Sequence, residues 1–264
     1  MILLKGKISG AVPVKTLPMM GFIVNSKIHV SKTIEQLSEY FAQLLINKTR
    51  AGSDHFNVSL SGGSTPKNIF EYLAAFHQKS IPWGKIKFFW GDERCVPPTD
   101  PESNFKMAND SLLAKLKIPA ENIFRIKGEN DPQSEADNYN ILLQNQIKTE
   151  NGFPRFDLIM LGLGEDGHTA SIFPNQKELL ESDKICAVAV HPESGQKRIT
   201  LTGKVINNAA TVVFIATSQK KSKVAGEILS QKGLYKNYPA SFIDPENGEL
   251  YWLLDQDSAP TFLR

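Results

Sequence analysis

Leu158-Ile159-Met160-Leu161-Gly162-Leu163-Gly164-Glu165-Asp166-Gly167-His168-Thr169-Ala170-Ser171 decides how this chain folds. Asp157 to Leu161 is almost continuously apolar and too short for a buried helix, so it reads as a strand buried on both faces. The glycine-rich run after it reads as a loop at that strand's carboxyl end. Working outward, the same strand–loop–helix grammar recurs. Upstream, Thr33 to Asn47 is a helix with Ile34, Leu37, Phe41, Leu44 and Leu45 on one face, opened by a Thr33/Gln36 capping box. Phe56 to Leu60 alternates as a strand. Ser61-Gly62-Gly63-Ser64-Thr65 follows, and a helix to about Gln78 is expected with Thr65 as N-cap and Pro66 first in the helix. Ile86 to Trp90 is a strand, and Asn104 to Lys115 and Gln133 to Lys148 are helices. Downstream, Cys186 to Val190, Ile199 to Leu201, Thr211 to Ala216 and Leu250 to Leu254 are strands, and Gln219 to Gln231 is a helix. Strands alternating with helices imply crossovers and an open, largely parallel α/β sheet with helices on both faces. Fewer than eight strand–helix units speak against a closed barrel. Ligands of open parallel sheets bind beyond the carboxyl ends of strands, so the chemistry belongs in the loops that follow them.

Composition narrows the class. The 264 residues suffice for a full core in one large domain. Thirty basic residues against 28 acidic ones leave a formal charge of +2, without the strongly basic face of a general nucleic-acid binder. Cys95 and Cys186 are too few and too far apart for a disulfide framework and read as reduced thiols of a cytoplasmic protein. No apolar run approaches the ~18 residues of a membrane span. Residues 1–27 form an extension of uncertain order, with Met20 an alternative start. Gly6, Gly10, Pro13 and Pro18 interrupt its apolar residues, so it does not read as a secretory signal. Residues 28–264 are expected to form a single domain.

Three segments carry most of the chemistry. In Ser61-Gly62-Gly63-Ser64-Thr65-Pro66 a strand turns sharply into a helix whose free N–H groups and dipole suit an anion. Without a Walker lysine, a phosphate monoester fits better than a nucleoside triphosphate. Trp90-Gly91-Asp92-Glu93-Arg94 places charge directly after a strand, and an arginine can clamp phosphate or carboxylate. In the third segment, glycines bracket Asp166 and His168. Of His29, His55, His77, His168 and His191, only His168 stands in such a setting. A neutral imidazole can take a proton from water, and Asp166 is close enough to orient it. Arg198 and the Lys220-Lys221 pair are further sources of positive charge. Asp-x-His could suggest a metal, but no second ligand cluster has metal spacing.

Together these segments resemble the 6-phosphogluconolactonase family, over Ile28 to Ala259. The resemblance rests on Ser59 to Pro66, Phe89 to Pro97, Glu102 to Phe105, Leu161 to Pro174, Arg198 to Thr202 and Pro239 to Phe242. The family pattern has a glycine where Ser218 stands. The resemblance implies a Rossmann-like fold of the glucosamine-6-phosphate deaminase and ribose-5-phosphate isomerase type. It implies hydrolysis of 6-phospho-D-glucono-1,5-lactone in the oxidative pentose phosphate pathway, with no metal and no organic cofactor. The implied catalytic residues are His168 and Asp166. Ser61, Gly62, Gly63, Ser64, Thr65, Asp92, Arg94, Arg198 and Lys221 are the implied substrate- and phosphate-binding residues, with the division between phosphate and oxyanion left open. The expected partner is a small phosphosugar lactone rather than nucleic acid or membrane, for a monomer or dimer. An isomerising deaminase and a non-catalytic sugar-phosphate sensor are the rivals. A serine esterase would need Gly-x-Ser-x-Gly, which does not occur. The resembling deaminases carry a glutamate shortly after the shared Asp-Gly-His, where this chain has Phe173.

Overall fold

The structure, a computed structural model, describes residues 26–51 and 55–263. Nearly all of the expected extension, residues 1–25, lies outside the described residues. In chain order the elements are β1 (Ser26–Ser31), α1 (Ile34–Ala51), β2 (Phe56–Leu60), α2 (Ser64–Phe76), β3 (Ile86–Trp90), β4 (Asp92–Arg94), α3 (Asn104–Ala108), α4 (Pro132–Gln146), β5 (Thr149–Glu150), β6 (Phe153–Pro154), β7 (Leu158–Gly162), β8 (Cys186–Val190), β9 (Lys197–Leu201), α5 (Gly203–Asn207), β10 (Thr211–Ala216), α6 (Ser222–Ser230) and β11 (Glu249–Asp255).

Six strands form one parallel sheet in the order β1-β11-β10-β7-β2-β3. Its centre is apolar on both faces. Leu158, Ile159, Met160 and Leu161 of β7 are fully buried, as is every residue of β10. Successive strand residues point to opposite faces, so both faces are covered. Each such leucine or isoleucine contributes roughly 1.5–3 kcal/mol by leaving water. Phe214 of β10 stacks on Trp252 of β11 at 4.2 Å and fills the space between neighbouring strands. From β2 the chain steps outward to β3, then returns to β7 on the other side of β2. The strand order therefore reverses between β2 and β7, and a crevice opens there at the carboxyl ends.

A second sheet departs from the expected single one. β4, β9 and β8 pair antiparallel, with Arg94 directly opposite Arg198. The 191–196 connection between β8 and β9 has hairpin length, too short for a crossover. Asp92 to Arg94 is too short and too charged to read as a strand, and pairing with β9 makes it one. The expected helix 104–115 is also modified: its α-turns give way to π-type bonding over Asn109–Leu113. The helix 219–231 begins as a 3₁₀ turn at Gln219–Lys221 and becomes α at Ser222. At α1 the capping signal is realised. Thr33 Oγ1 accepts from the Gln36 N–H at 3.3 Å, and the Gln36 side chain accepts from the Lys32 N–H at 3.1 Å. Among the described residues no helix is long and apolar enough to cross a membrane.

β1 is fastened to the sheet by charge as well as by its ladder. Glu249 of β11 lies 2.6 Å from Lys27 Nζ and also pairs with Lys48 of α1. Burial pushes the Glu249 carboxyl up, but the two lysines together bring it down to about 2. Its folded-state pKa is thus depressed, so the stability it contributes is present above the ordinary carboxylate range and is lost as pH falls toward 2. The side chain is 36% exposed, which screens the pair. Glu249→Gln is expected to cost about 1 kcal/mol at neutral pH. Urea melts of variant and parent should converge near pH 2; an undiminished gap there would contradict the ion-pair origin.

Candidate active site

The loops at the strand reversal enclose a cleft of about 420 Å³. Its first wall follows β2. Gly63 takes φ +104°, a conformation that favours glycine, and turns the chain so that α2 starts at Ser64. The N-cap is therefore Gly63, one residue before Ser64, and not Thr65. Ser61, Gly62 and Gly63 line the cleft, and first-turn N–H groups of α2 stand behind them. Ser64 and Thr65 do not line it. Ser64 is exposed, and the Thr65 hydroxyl is hydrogen-bonded to that of Thr217 at 2.6 Å. The early turn rotates both side chains off the cleft.

The second wall comes from β4 and β9. Asp92 is buried, and its Oδ2 accepts from the Ser171 hydroxyl at 2.6 Å while its carbonyl accepts from Asn104 Nδ2 at 2.9 Å. Glu93 faces away from the cleft. Its carboxylate accepts from the N–H groups of Arg94, Asn104 and Phe105 and from the Ser103 hydroxyl, fixing the start of α3. Burial pushes its pKa up, against the three main-chain N–H donors. Arg94 Nη1 donates to the Glu102 carbonyl at 2.5 Å. Arg94 and Arg198 both line the cleft, and each Nε is buried without a hydrogen-bond partner among the described residues. Burial lowers the Arg198 pKa, and Arg94 opposite pushes it the same way. Two guanidiniums facing each other across an antiparallel pair repel, Asp92 and Glu102 oppose that at Arg198, and an incoming anion would oppose it further. Arg198 also lies over the Phe173 ring, 5.5 Å from its centroid.

The third wall is the loop after β7. A Cβ on Gly164 would sit 2.2 Å from His168 Nδ1 and 2.4 Å from Asp166 Oδ1, so only glycine permits this packing. Asp166 Oδ1 accepts from the His168 ring at Nδ1 (2.6 Å) and from the His168 main-chain N–H (3.1 Å). Burial pushes the Asp166 carboxyl up, but the imidazole hydrogen bond and charge outweigh it and hold the group below its ordinary value. With Nδ1 donating, the network assigns the free lone pair to Nε2. The loop's exit is anchored by Thr169, whose hydroxyl donates to the Gly162 carbonyl at 2.9 Å. Phe173, fully buried, backs His168 with ring centroids 4.9 Å apart.

The fourth wall is the turn after β10. Lys221 lines the cleft with its side chain 22% exposed, whereas Lys220 is 74% exposed and stays outside. Burial lowers the Lys221 pKa, and Glu165 and Asp166 oppose that. Ser218 in the same turn takes φ +84° and ψ 140°, a region that strains any L side chain, while its N–H donates to Asp255 at 3.1 Å. Ser218→Gly is expected to raise stability by about 1 kcal/mol, the relief of strain exceeding the entropy that glycine adds to the unfolded chain. A lower melting temperature for the variant would refute the strain.

Asp92, Arg94, Asp166, His168, Arg198 and Lys221 thus meet in one cleft with Ser61 to Gly63. His191, Asn104 and Glu165 line it too and were not singled out from the sequence. His191 directly follows a strand, the position that drew notice to the other segments. Among the described residues no three His, Cys, Asp or Glu side chains are grouped to hold a metal.

The family model described as "Glucosamine-6-phosphate isomerases/6-phosphogluconolactonase" matches residues 29–252. A 6-phosphogluconolactonase of Synechocystis is 39% identical over 243 residues, covering 91% of this chain and 97% of that one. The structure of 6-phosphogluconolactonase from Trypanosoma brucei is 29% identical with a TM-score of 0.79, covering 88% of this chain and 96% of that one. A monomeric glucosamine-6-phosphate deaminase shares the fold at 19% identity, with a TM-score of 0.75 over 90% of this chain and 99% of that one. The match reaches the six-stranded and three-stranded sheets and every wall of the cleft, and the chain belongs to the glucosamine-6-phosphate isomerase/6-phosphogluconolactonase family.

Proposed function

We propose that this protein hydrolyses 6-phospho-D-glucono-1,5-lactone to 6-phospho-D-gluconate, with His168 as general base. The observation that carries the reading is the 2.6 Å bond between His168 Nδ1 and Asp166, which frees Nε2 to take a proton from water inside a cleft holding three cations. Water attacks the lactone carbonyl as its proton passes to Nε2. The tetrahedral intermediate collapses with cleavage of the bond between the carbonyl carbon and the ring oxygen. The imidazolium returns its proton to that oxygen, which leaves as the sugar-acid hydroxyl. Arg94, Arg198, Lys221 and the N–H groups around Gly62 and Gly63 hold the phosphate and oppose the charge that develops on the carbonyl oxygen. Asp92 receives the Ser171 hydroxyl and keeps the wall beside the arginines in place.

This reading puts the enzyme in the oxidative pentose phosphate pathway and in the cytoplasm, acting on a soluble phosphosugar without a nucleic-acid partner. The names of the relatives support it, as does the nature of residue 173. An isomerising deaminase must move hydrogen between carbons as well as activate water. The fully buried Phe173 stands where the deaminases have an acid, and it has no proton to move. The test is titration of acid released from freshly generated lactone, with enzyme against buffer. Acid release at the buffer rate, or ammonia release from glucosamine 6-phosphate at a comparable turnover, would overturn the assignment.

A further inference from the structure

His191 lies in the cleft with its hydrogen bonding reversed relative to His168. It follows β8 and opens the 191–196 turn, which is closed by the His191 N–H donating to the Gln196 carbonyl at 2.9 Å. Its Nδ1 accepts from the N–H groups of Glu193 (3.3 Å) and Ser194 (3.2 Å) inside that turn. An imidazole whose Nδ1 accepts carries its proton on Nε2, and Nε2 is a donor in the protonated ring as well. His168 has the opposite arrangement, with Nδ1 donating and Nε2 open. Phe173 stands between the two rings, 4.9 Å from His168 and edge-on to His191 at 5.2 Å. Its face also supports Arg198. His191 therefore has no free lone pair for general-base work and presents only an N–H.

The hairpin sets where that N–H belongs. Ala189 is the cross-strand partner of Arg198, and Val190 that of Lys197, so His191 extends the strand beside the one that carries Arg198. Arg94 is opposite Arg198 on the other side. Three nitrogen-donor side chains, two of them guanidiniums with buried unpartnered Nε groups, thus converge from one three-stranded sheet.

We propose that His191 is a specificity-determining residue, donating from Nε2 to a phosphate oxygen of the substrate alongside Arg94 and Arg198. This rests on the lactonase reading and adds a phosphate ligand to it. The turn that holds Nδ1 makes the donor rigid: a ring flip would put the Cδ2–H in place of the accepting nitrogen and leave the two N–H groups without it. His191→Phe keeps the ring against Phe173 and removes the donor. His191→Gln keeps a donor without the ring.

The experiment is calorimetric titration of parent, His191→Phe and His191→Gln with 6-phosphogluconate and with gluconate, beside steady-state hydrolysis of the phosphorylated lactone. For His191→Phe the 6-phosphogluconate Kd and the lactone KM should rise roughly tenfold, as for loss of a hydrogen bond to a charged group. Binding of gluconate and kcat should change little, and His191→Gln should recover part of the loss. A parent that hydrolyses the lactone while His191→Phe binds 6-phosphogluconate as the parent does would overturn the His191 role alone. Equal losses toward gluconate and 6-phosphogluconate would place the contact on a sugar hydroxyl and overturn the phosphate assignment. A fall in kcat at unchanged KM would make the residue part of the chemical step, against the proposal. A parent that neither hydrolyses the lactone nor binds either sugar acid would overturn both readings.

Discussion

His168→Asn is expected to leave the protein folded and lower kcat by roughly 10²–10⁴-fold, the usual value of a positioned general base. KM should change by no more than a few-fold, because the cations that hold the substrate lie on other loops. The effect is confined to kcat because of where the ring is fastened. His168 is partly exposed and tied down at Nδ1 by Asp166 and at its main chain by the Gly164 N–H at 2.8 Å. Asparagine can keep the Asp166 hydrogen bond but offers no nitrogen lone pair to water. Asp166→Asn should lose less, since the base survives but its tautomer is no longer enforced. The measurement is acid release on fresh lactone, with circular dichroism as the check on folding. A His168→Asn enzyme within a factor of a few of the parent would remove His168 from the mechanism.

Removing the phosphate from the substrate is the second large effect. Unphosphorylated gluconolactone should be turned over with kcat/KM lower by roughly 10²–10⁴-fold, taking two charge-assisted hydrogen bonds at about 1.5–3 kcal/mol each. The reason is the wall made by β4 and β9. Arg94 and Arg198 are held opposite each other by main-chain register, and an anion between them adds to the attraction that Asp92 already offers Arg198. A neutral sugar brings no anion to that pair and leaves the two buried Nε groups without a charged partner. Arg94→Ala and Arg198→Ala should each narrow the gap between the two substrates, while the exposed Lys220→Ala should not. Equal efficiency on both lactones would mean that the arginine pair serves some other purpose.

How much of this was legible in the sequence depends on the range of the interactions. The parallel sheet announced itself because Leu158 to Leu161 and Thr211 to Ala216 are buried on both faces, which leaves a continuous apolar run. The cleft announced itself because glycines, an aspartate and a histidine follow a strand in one uninterrupted segment. β1 did not: Ser26 to Ser31 is half-buried and polar at alternate positions, and its partner is at the other end of the chain. The second sheet did not, since Asp92 to Arg94 is a strand only through pairing with residues a hundred positions away. Thr65 shows the limit of a local rule. A threonine before a proline is a good helix cap, but the glycine two places earlier turned the chain first. His191 was passed over because its segment, with Glu193 and the single Gly195 after it, lacks the glycine-bracketed run that drew notice to Asp166 and His168. What places it in the cleft is the β8–β9 register, which no short window contains.

The placement of β1 also bears on how the chain is made. It is the first described strand to leave the ribosome, yet the edge that receives it is β11, with 222 residues separating Lys27 from Glu249. At about 5–20 residues per second, that partner follows roughly 10–45 s later. β1 waits through that whole interval without its partner strand, and β10, once made, has no neighbour on that side until β11 follows. The closing step of assembly therefore joins the two ends of the described chain, a contact of very long loop length and correspondingly slow formation. The lysine–glutamate cluster at that seam forms last, and nascent chains stalled before Glu249 would display an open strand edge to other chains.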